Sequence, residues 1–258
     1  MAKDPGPGGL LLPLFGHRRE FRCGLSLRQG GVSEPPFASL NLGGSTTDRP
    51  GAVRENRRRF YRAAGLDPEA VARMHQVHEA RVAVVREPGE AGEADGLVTA
   101  RADLGLLVTV ADCLPVFLAD VEAGVIAALH AGWRGILAGV LEAGVAAAAT
   151  AGAAPARLEV VLGPSIGGCC FEVGPEVAAR FEATALRRGR GDRPHLDLTD
   201  AARRRLAAAG VPEAAIRGPA ACTRCRCDVF FSARAGEPTG RMVGFILRPA
   251  GPARPAAA

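Results

Sequence analysis

The sequence predicts an α+β fold, with mixed β-sheets carrying packed helices. Two observations predict it. Strand-like runs outnumber helical ones, and consecutive strands join through short turns. The stretch from 104 to 131 shows both: "LGLLVTVA", "LPVFLAD" and "VIAALHA" follow one another, with "EAG" as the turn before the last. A doubly wound parallel sheet is the runner-up, but it needs a helix between most strands, and this stretch has none. The chain has 258 residues, 48% of them hydrophobic, enough to bury one sizeable core. A single domain over 1–258 is expected, with frayed Pro/Ala/Gly-rich ends at 1–9 and 249–258. Aromatics are only 5%, so Ala, Val and Leu must build most of that core.

The elements follow in order. "EFRCGLSLRQGG" reads as a strand ending in a Gly-Gly turn. "RPGAVRENRRRFYRAAG" reads as a helix closed by Gly65. "ARVAVVREPG" is a strand followed by a turn, and the three apolar, β-branched runs of 104–131 come next. "GILAGVLEAGVAAAATAG" has helical length and composition. "RLEVVLG" is a strand that runs into the glycine-rich "GPSIGG" at 163–168. "RRGRGDRP" at 187–194 is the best candidate for an exposed loop. "TDAARRRLAAAG" has a Thr/Asp start and a Gly stop, so it reads as a helix, and "GRMVGFILR" is a late strand.

Charge and composition narrow the function. The net charge of +5 favours anionic small molecules or nucleic acid over basic partners. The Arg runs at 57–59 and 203–205 lie in helical patterns with polar neighbours and read as solvated faces. No basic stretch is interleaved with aromatics, which argues against nucleic acid. No window reaches the roughly 18 apolar residues of a membrane span. The N-terminal apolar run is short and broken by Pro13, a poor signal peptide, so a cytoplasmic protein is expected. Its seven Cys are then expected as free thiols or ligands rather than disulfides.

Chemistry concentrates in "TVADCLPVFLADVEAGVIAALHAGWRG", where Cys113 and His130 interrupt apolar strands. Three readings fit them: a nucleophile with its base, two metal ligands, or two satisfied core residues. "MHQVHEA" places His75 and His78 three apart before a strand. On an extended segment they face opposite sides, so one of them can join Cys113 and His130. One thiolate and two imidazoles suit zinc and leave a position for substrate. Asp112 is costly to bury without a partner, for which an Arg or a helix N-terminus is expected, on the side opposite Cys113. In "HAGWRG", small residues open a helix, and Arg134 offers a fork for phosphate or carboxylate. Trp133 reads as a core or rim filler. "CTRCRC" at 222–227 could assemble four thiolates with Cys169 and Cys170, but its spacing matches no zinc module, and free thiols are the expectation.

One family shares these motifs in this order: "GGVSEPPFASLNLG", "VRENRRRF", "HQVH", "EADGLVT", "VADCLPV", "LHAGWRG", "LGPSIGGCCFEVG" and "FFSARAG…GRMVGFI". Across most of its length the chain resembles the YfiH-like family, long labelled laccase-like or multicopper polyphenol oxidase. The resemblance implies a zinc-dependent purine nucleoside phosphorylase that also deaminates adenosine and acts on methylthioadenosine. It implies an α+β fold like the catalytic domain of cytotoxic necrotising factor toxins, which carry a Cys-His deamidase site. It implies His78, Cys113 and His130 as catalytic metal ligands, with zinc as cofactor and copper as the alternative. It further implies purine nucleosides and phosphate as partners, and for these Asn41, Arg57 and Arg134 are the expected substrate-binding residues, the arginines as cationic forks for phosphate. Glu79 departs from the small residue usual after "QVH", and its carboxylate is expected to recharge the rim. The alternatives are a Cys-His amidase or deamidase on peptidoglycan precursors or proteins, a copper-dependent phenol oxidase, and a non-catalytic purine-binding protein.

Overall fold

The computed structural model describes residues 10–16, 18–189, 193–218 and 221–250. In chain order the elements are β1 (Leu11–Leu14), β2 (Arg22–Ser26), α1 (Pro50–Ala64), β3 (Val71–His75), β4 (Val82–Val84), β5 (Gly89–Glu93) and β6 (Gly96–Thr99). Then come β7 (Gly105–Val110), β8 (Leu114–Asp120), β9 (Val125–Ala131), α2 (Trp133–Ala138), α3 (Val140–Thr150), β10 (Glu159–Leu162) and α4 (Pro175–Ala178). The chain ends with β11 (Leu186–Arg187), β12 (His195–Leu196), α5 (Leu198–Ala208), β13 (Ile216–Arg217) and β14 (Met242–Leu247).

Two six-stranded sheets dominate, in the orders β1-β2-β14-β7-β3-β5 and β13-β10-β8-β9-β6-β4. Both are mixed: β3 pairs parallel with β7 and β5, β4 with β6, and β10 with β13, while the remaining pairs are antiparallel. The expected α+β class is what the chain adopts.

Strict alternation along the strands sets the layers. On β7 and β14, Leu106, Val108, Met242 and Ile246 meet Phe117, Ala119, Ile126 and Ala128 of the other sheet in one core. Leu107, Val243, Phe245 and Leu247 turn outward onto Phe60 and Ala64 of α1. On β8 and β9, Leu114, Val116, Leu118, Ala127 and Leu129 turn away from the first sheet onto α3 and α5. The molecule is therefore layered helix, sheet, sheet, helix. His130 shares its parity on β9 with Ile126 and Ala128, so the pleat aims it between the sheets.

Several expectations need correction. The helix expected from "GILAGVLEAGVAAAATAG" is two helices, α2 and α3, because Gly139 takes a left-handed φ of 98° and stops the first. The Thr/Asp start expected for α5 lies two residues late. Asp197 is the cap, accepting from the N–H groups of Thr199 and Asp200. Gly65 does close α1 in the left-handed conformation. The expected loop at 187–194 is the tip of the β11–β12 hairpin, and its residues 190–192 lie outside the described residues. Of the expected frayed ends, 1–9 and 251–258 lie outside them too, while Ala250 is held by a hydrogen bond from its N–H to Asp103. Among the described residues no helix is long and apolar enough to cross a membrane.

Candidate metal centre

Two turns and one strand end converge where the two sheets open. His78 follows β3, Cys113 sits between β7 and β8, and His130 lies near the end of β9. Their ligand atoms, two imidazole nitrogens and one sulfur, all lie within 4.8 Å of one another. The rings of His78 and His130 meet edge to face at 4.8 Å.

The backbone is bent to bring them there. Among the described residues four non-glycines have positive φ, and two of them are His78 (63°) and Asp112 (84°), the residue before Cys113. Such conformations cost roughly 1–3 kcal/mol each and persist only where surroundings enforce them. The His78 turn also corrects the expected geometry of "HQVH". The strand stops at His75, so His75 and His78 do not alternate, and both line the same cavity.

Asp112 does not lie on a strand facing away from Cys113, and no Arg side chain receives it, but the expected helix N-terminus does: a single 3-10 turn, Ala233–Ala235, capped by Ser232. The Asp112 carboxylate accepts from the hydroxyls of Thr223 and Ser232 and from the backbone N–H of Arg234 at 2.8 Å. It anchors the β7–β8 turn and thereby holds Cys113.

Asp95 is the supporting residue that motif spacing did not isolate. Fully buried, it meets His130 Nδ1 at 2.7 Å through Oδ1, and its Oδ2 accepts the N–H groups of Val77 and Glu79 at 3.1 and 2.8 Å. One carboxylate thus fixes the ring of one ligand and the turn bearing another, the arrangement that orients metal-bound histidines. The signal was available in "EADGLVT": an acid leading into a fully apolar strand must have partners.

Electrostatics in the metal-free cluster are those of an ion pair. Burial pushes the Cys113 thiol up, but hydrogen bonds with His130 and His78 outweigh it and bring it down to about 6. Burial pushes His130 down, but Asp95 and the Cys113 sulfur outweigh that and raise it to about 9. The Asp95 carboxyl, raised by burial, is held below its ordinary value mainly by His130. A thiolate and two imidazoles this close are a borderline-soft donor set that zinc fits, with a further position facing the cavity. Gly132 belongs to the same fit. A Cβ there would stand 3.0 Å from Cys113 Sγ and 3.3 Å from His78 Nδ1, inside the ligand cluster.

The cluster forms one wall of a cavity of about 550 Å³. Phe60 and Tyr61 of α1, the 43–45 loop, Gln76 and three arginines, Arg57, Arg73 and Arg241, contribute to the rest. Arg73 is spoken for by Glu90, and Arg241 bonds the carbonyls of Thr239 and Gly240 and reaches Glu237. Among the described residues Arg57 pairs with no carboxylate; its Nε donates to the Leu42 carbonyl at 3.1 Å. Gln76 clamps Thr109 by a reciprocal pair of bonds, carboxamide N–H to carbonyl and backbone N–H to carboxamide oxygen.

Of the three residues expected to meet substrate, the structure brings only Arg57 to the cavity. Asn41 is fully buried. It donates to Thr46 and Asp48 and accepts the N–H groups of Gly43 and Arg241, so it fastens two cavity walls from behind. Arg134 lies over the Trp133 ring at 4.5 Å and is absent from the lining. Trp133 packs against the helix-side core, as expected of a filler. Glu79 does not recharge the cavity: it is exposed, outside the lining, and contributes its backbone N–H to Asp95. Arg73, Arg241 and Tyr61 are lining residues that motif reading had not singled out, and His75 lines the cavity beside the ligand cluster.

The model of the multi-copper polyphenol oxidoreductase laccase family matches residues 22–249. A purine nucleoside phosphorylase of Streptomyces coelicolor is 44% identical over 230 residues, 86% of this chain and 93% of that protein. The purine nucleoside phosphorylase YfiH of Escherichia coli is 39% identical over 243 residues, 92% and 98% of the two chains. Among solved structures, YlmD of Geobacillus stearothermophilus superposes with a TM-score of 0.89 at 32% identity, covering 94% of this chain and 97% of that one. YfiH of Bacillus licheniformis gives 0.87 at 30% identity, covering 92% and 96%.

Proposed function

This chain belongs to the YfiH-like, laccase-domain family, and from that premise we propose that it is a zinc-dependent purine nucleoside phosphorylase. Its substrates on this reading are adenosine, inosine, guanosine and methylthioadenosine with inorganic phosphate, and it also deaminates adenosine. The observation that carries the reading is one cavity that joins a His78–Cys113–His130 donor set to Arg57, a guanidinium without a carboxylate partner among the described residues. The volume of about 550 Å³ falls in the range of small-molecule sites and admits a nucleoside with phosphate. Free thiols throughout suit a reducing cytoplasm.

In phosphorolysis a phosphate oxygen bonds to the anomeric carbon while the glycosidic C–N bond breaks, its electron pair leaving with the purine. Arg57 would hold the phosphate by charge-assisted hydrogen bonds. The Gln76 clamp on Thr109 keeps the facing wall in register, and the apolar faces of Phe60 and Tyr61 would exclude water. Asp95 orients His130, and Gly132 leaves the cluster open. Zinc held by His78, Cys113 and His130 would supply Lewis acidity to the substrate.

The test is turnover of adenosine by metal-quantified protein, with and without phosphate, beside Cys113→Ala and Arg57→Ala. Phosphate-dependent adenine or hypoxanthine, lost with Cys113→Ala and weakened in KM for phosphate with Arg57→Ala, supports the reading. Inosine without phosphate leaves only the deaminase. No nucleoside turnover by the zinc-loaded protein refutes it.

A second reading has its own observation. The Cys113 thiolate beside a protonated His130, itself held by Asp95, is also the arrangement of a cysteine amidase or deamidase. That enzyme would ignore chelators and die on thiol alkylation. A multicopper phenol oxidase fits less well, because its clusters need more imidazoles than the five His of the chain supply.

A further inference from the structure

On the other side of the Asp112 turn lies a second group of sulfurs. Cys169 and Cys170 end the "GPSIGG" loop after β10, and Cys222 and Cys225 sit on the turn that begins "CTRCRC". They are more than fifty positions apart in sequence, yet the four Sγ atoms lie within 4.8 Å of one another. Cys225 Sγ is 3.6 Å from Cys169 Sγ and 3.4 Å from Cys170 Sγ. With Zn–S bonds of about 2.3 Å, a tetrahedral four-thiolate site has S···S edges of about 3.8 Å. A disulfide needs about 2.05 Å and would satisfy one partner of Cys225 while stranding the other.

The backbone is built around the cluster. Ser165 and Cys222 form a parallel bridge, and Thr223 N–H donates to the Ser165 carbonyl. Gly167 N–H donates to Cys222 Sγ at 3.2 Å, the type of contact that supports a thiolate ligand. A Cβ on Gly167 would stand 3.3 Å from both Cys169 Sγ and Cys222 Cβ, a tight contact that glycine relieves where the loop closes on the sulfurs. Cys227 lies outside the group.

We propose that Cys169, Cys170, Cys222 and Cys225 form a second, structural metal site for a thiophilic divalent cation of zinc's class, separate from the His78–Cys113–His130 centre. Binding exchanges four thiol protons for one cation and changes no oxidation state. The turn bearing Cys222 and Cys225 also carries the exposed Arg224, while Arg187 beside Gly168 pairs with Asp197 at 3.2 Å. The site's purpose is mechanical. Thr223, next to Cys222, donates to the carboxylate of Asp112, and Ile166 N–H donates to the Asp112 carbonyl at 2.9 Å. A cation that pins the two loops together therefore also pins the turn carrying Cys113. This inference is independent of which reaction the cavity performs.

The test is metal content of the full chain, purified reduced and without chelator, followed by cobalt(II) substitution. The expected wild type holds two equivalents of zinc, and Cys113→Ala and Cys225→Ser one each. Cobalt-loaded Cys113→Ala is expected to show the intense sulfur-to-cobalt absorption of a four-thiolate site, which Cys225→Ser added to it removes. A single equivalent that survives Cys225→Ser and disappears in Cys113→Ala overturns the proposal. So does folded Cys113→Ala that takes up cobalt without thiolate absorption, or an intact-mass deficit marking a disulfide within the cluster. Because Cys113→Ala leaves all four sulfurs in place, the outcome stands even where Cys225→Ser fails to fold.

Discussion

Replacing Asp95 by Asn tests the metal centre through a residue that touches no substrate. The side chain is fully buried and keeps its shape in the variant, so no cavity opens. What changes is the hydrogen-bond polarity at one of its two oxygens. The backbone N–H groups of Val77 and Glu79 both point at Oδ2 and need an acceptor. The carboxamide oxygen must stay there, since turning the NH2 group toward two donors would leave both unpaired at about 1–3 kcal/mol each. The NH2 group then faces His130 Nδ1, which becomes an acceptor, and the ring proton moves to Nε2. That nitrogen is the one left for the cluster, and a protonated nitrogen cannot ligate. Losing the support of such a carboxylate costs about 10–100-fold in metal affinity, or about 1.4–2.8 kcal/mol. The assay is zinc affinity by competition with a chromogenic chelator, in a Cys225→Ser background so that one centre is titrated, alongside the melting temperature. A fall in affinity of that size with a small change in melting is expected. Unchanged zinc affinity in a folded Asp95→Asn protein refutes the reasoning.

Three further outcomes follow from the same geometry. In the metal-free protein, alkylation of Cys113 read by peptide mass should rise with a midpoint near pH 6, where the thiol is held by His130 and His78 against its burial. Because the native state gives up that proton more readily than the unfolded chain, the metal-free fold should also lose stability as pH falls through about 6; a midpoint near the ordinary thiol value sinks this. Gly132→Ala should lower zinc content and activity together while melting changes little, since the added methyl meets Cys113 and His78 and no core residue; full zinc loading of that variant would show the crowding argument to be wrong. Asn41→Ala should destabilise the protein by about 2–4 kcal/mol, because the N–H groups of Gly43 and Arg241 lose their acceptor in a buried site. Its activity per folded molecule should fall through a looser 43–45 loop, whereas a variant of native stability with raised KM alone would make Asn41 a substrate contact instead.

Local pattern determined a good deal of this protein. The unbroken apolar runs "LGLLVTV", "LPVFLAD" and "VIAALHA" are a property of consecutive residues, so these central strands and the turn before the last were legible. The same holds for α1 with its Gly65 stop and for the α+β class. The ordered motifs carried the family and singled out His78, Cys113 and His130, which the fold then gathers. What tertiary structure alone decided are relations between segments far apart in sequence. Asp95 becomes the partner of His130 only because β6 pairs with β9, and Asn41 becomes a buried fastener only because the 43–48 loop closes onto β14. Cys169 and Cys170 meet Cys222 and Cys225 only through the Ser165–Cys222 bridge, which no spacing rule within either segment foretells. Even "HQVH", whose two imidazoles would face opposite sides if it were extended, yields both on one cavity because Asp95 draws the amides on either side of His78, those of Val77 and Glu79, onto one carboxylate. Periodicity records which face of an element is apolar; which faces meet is set by packing the whole chain, and it is there that this site is made.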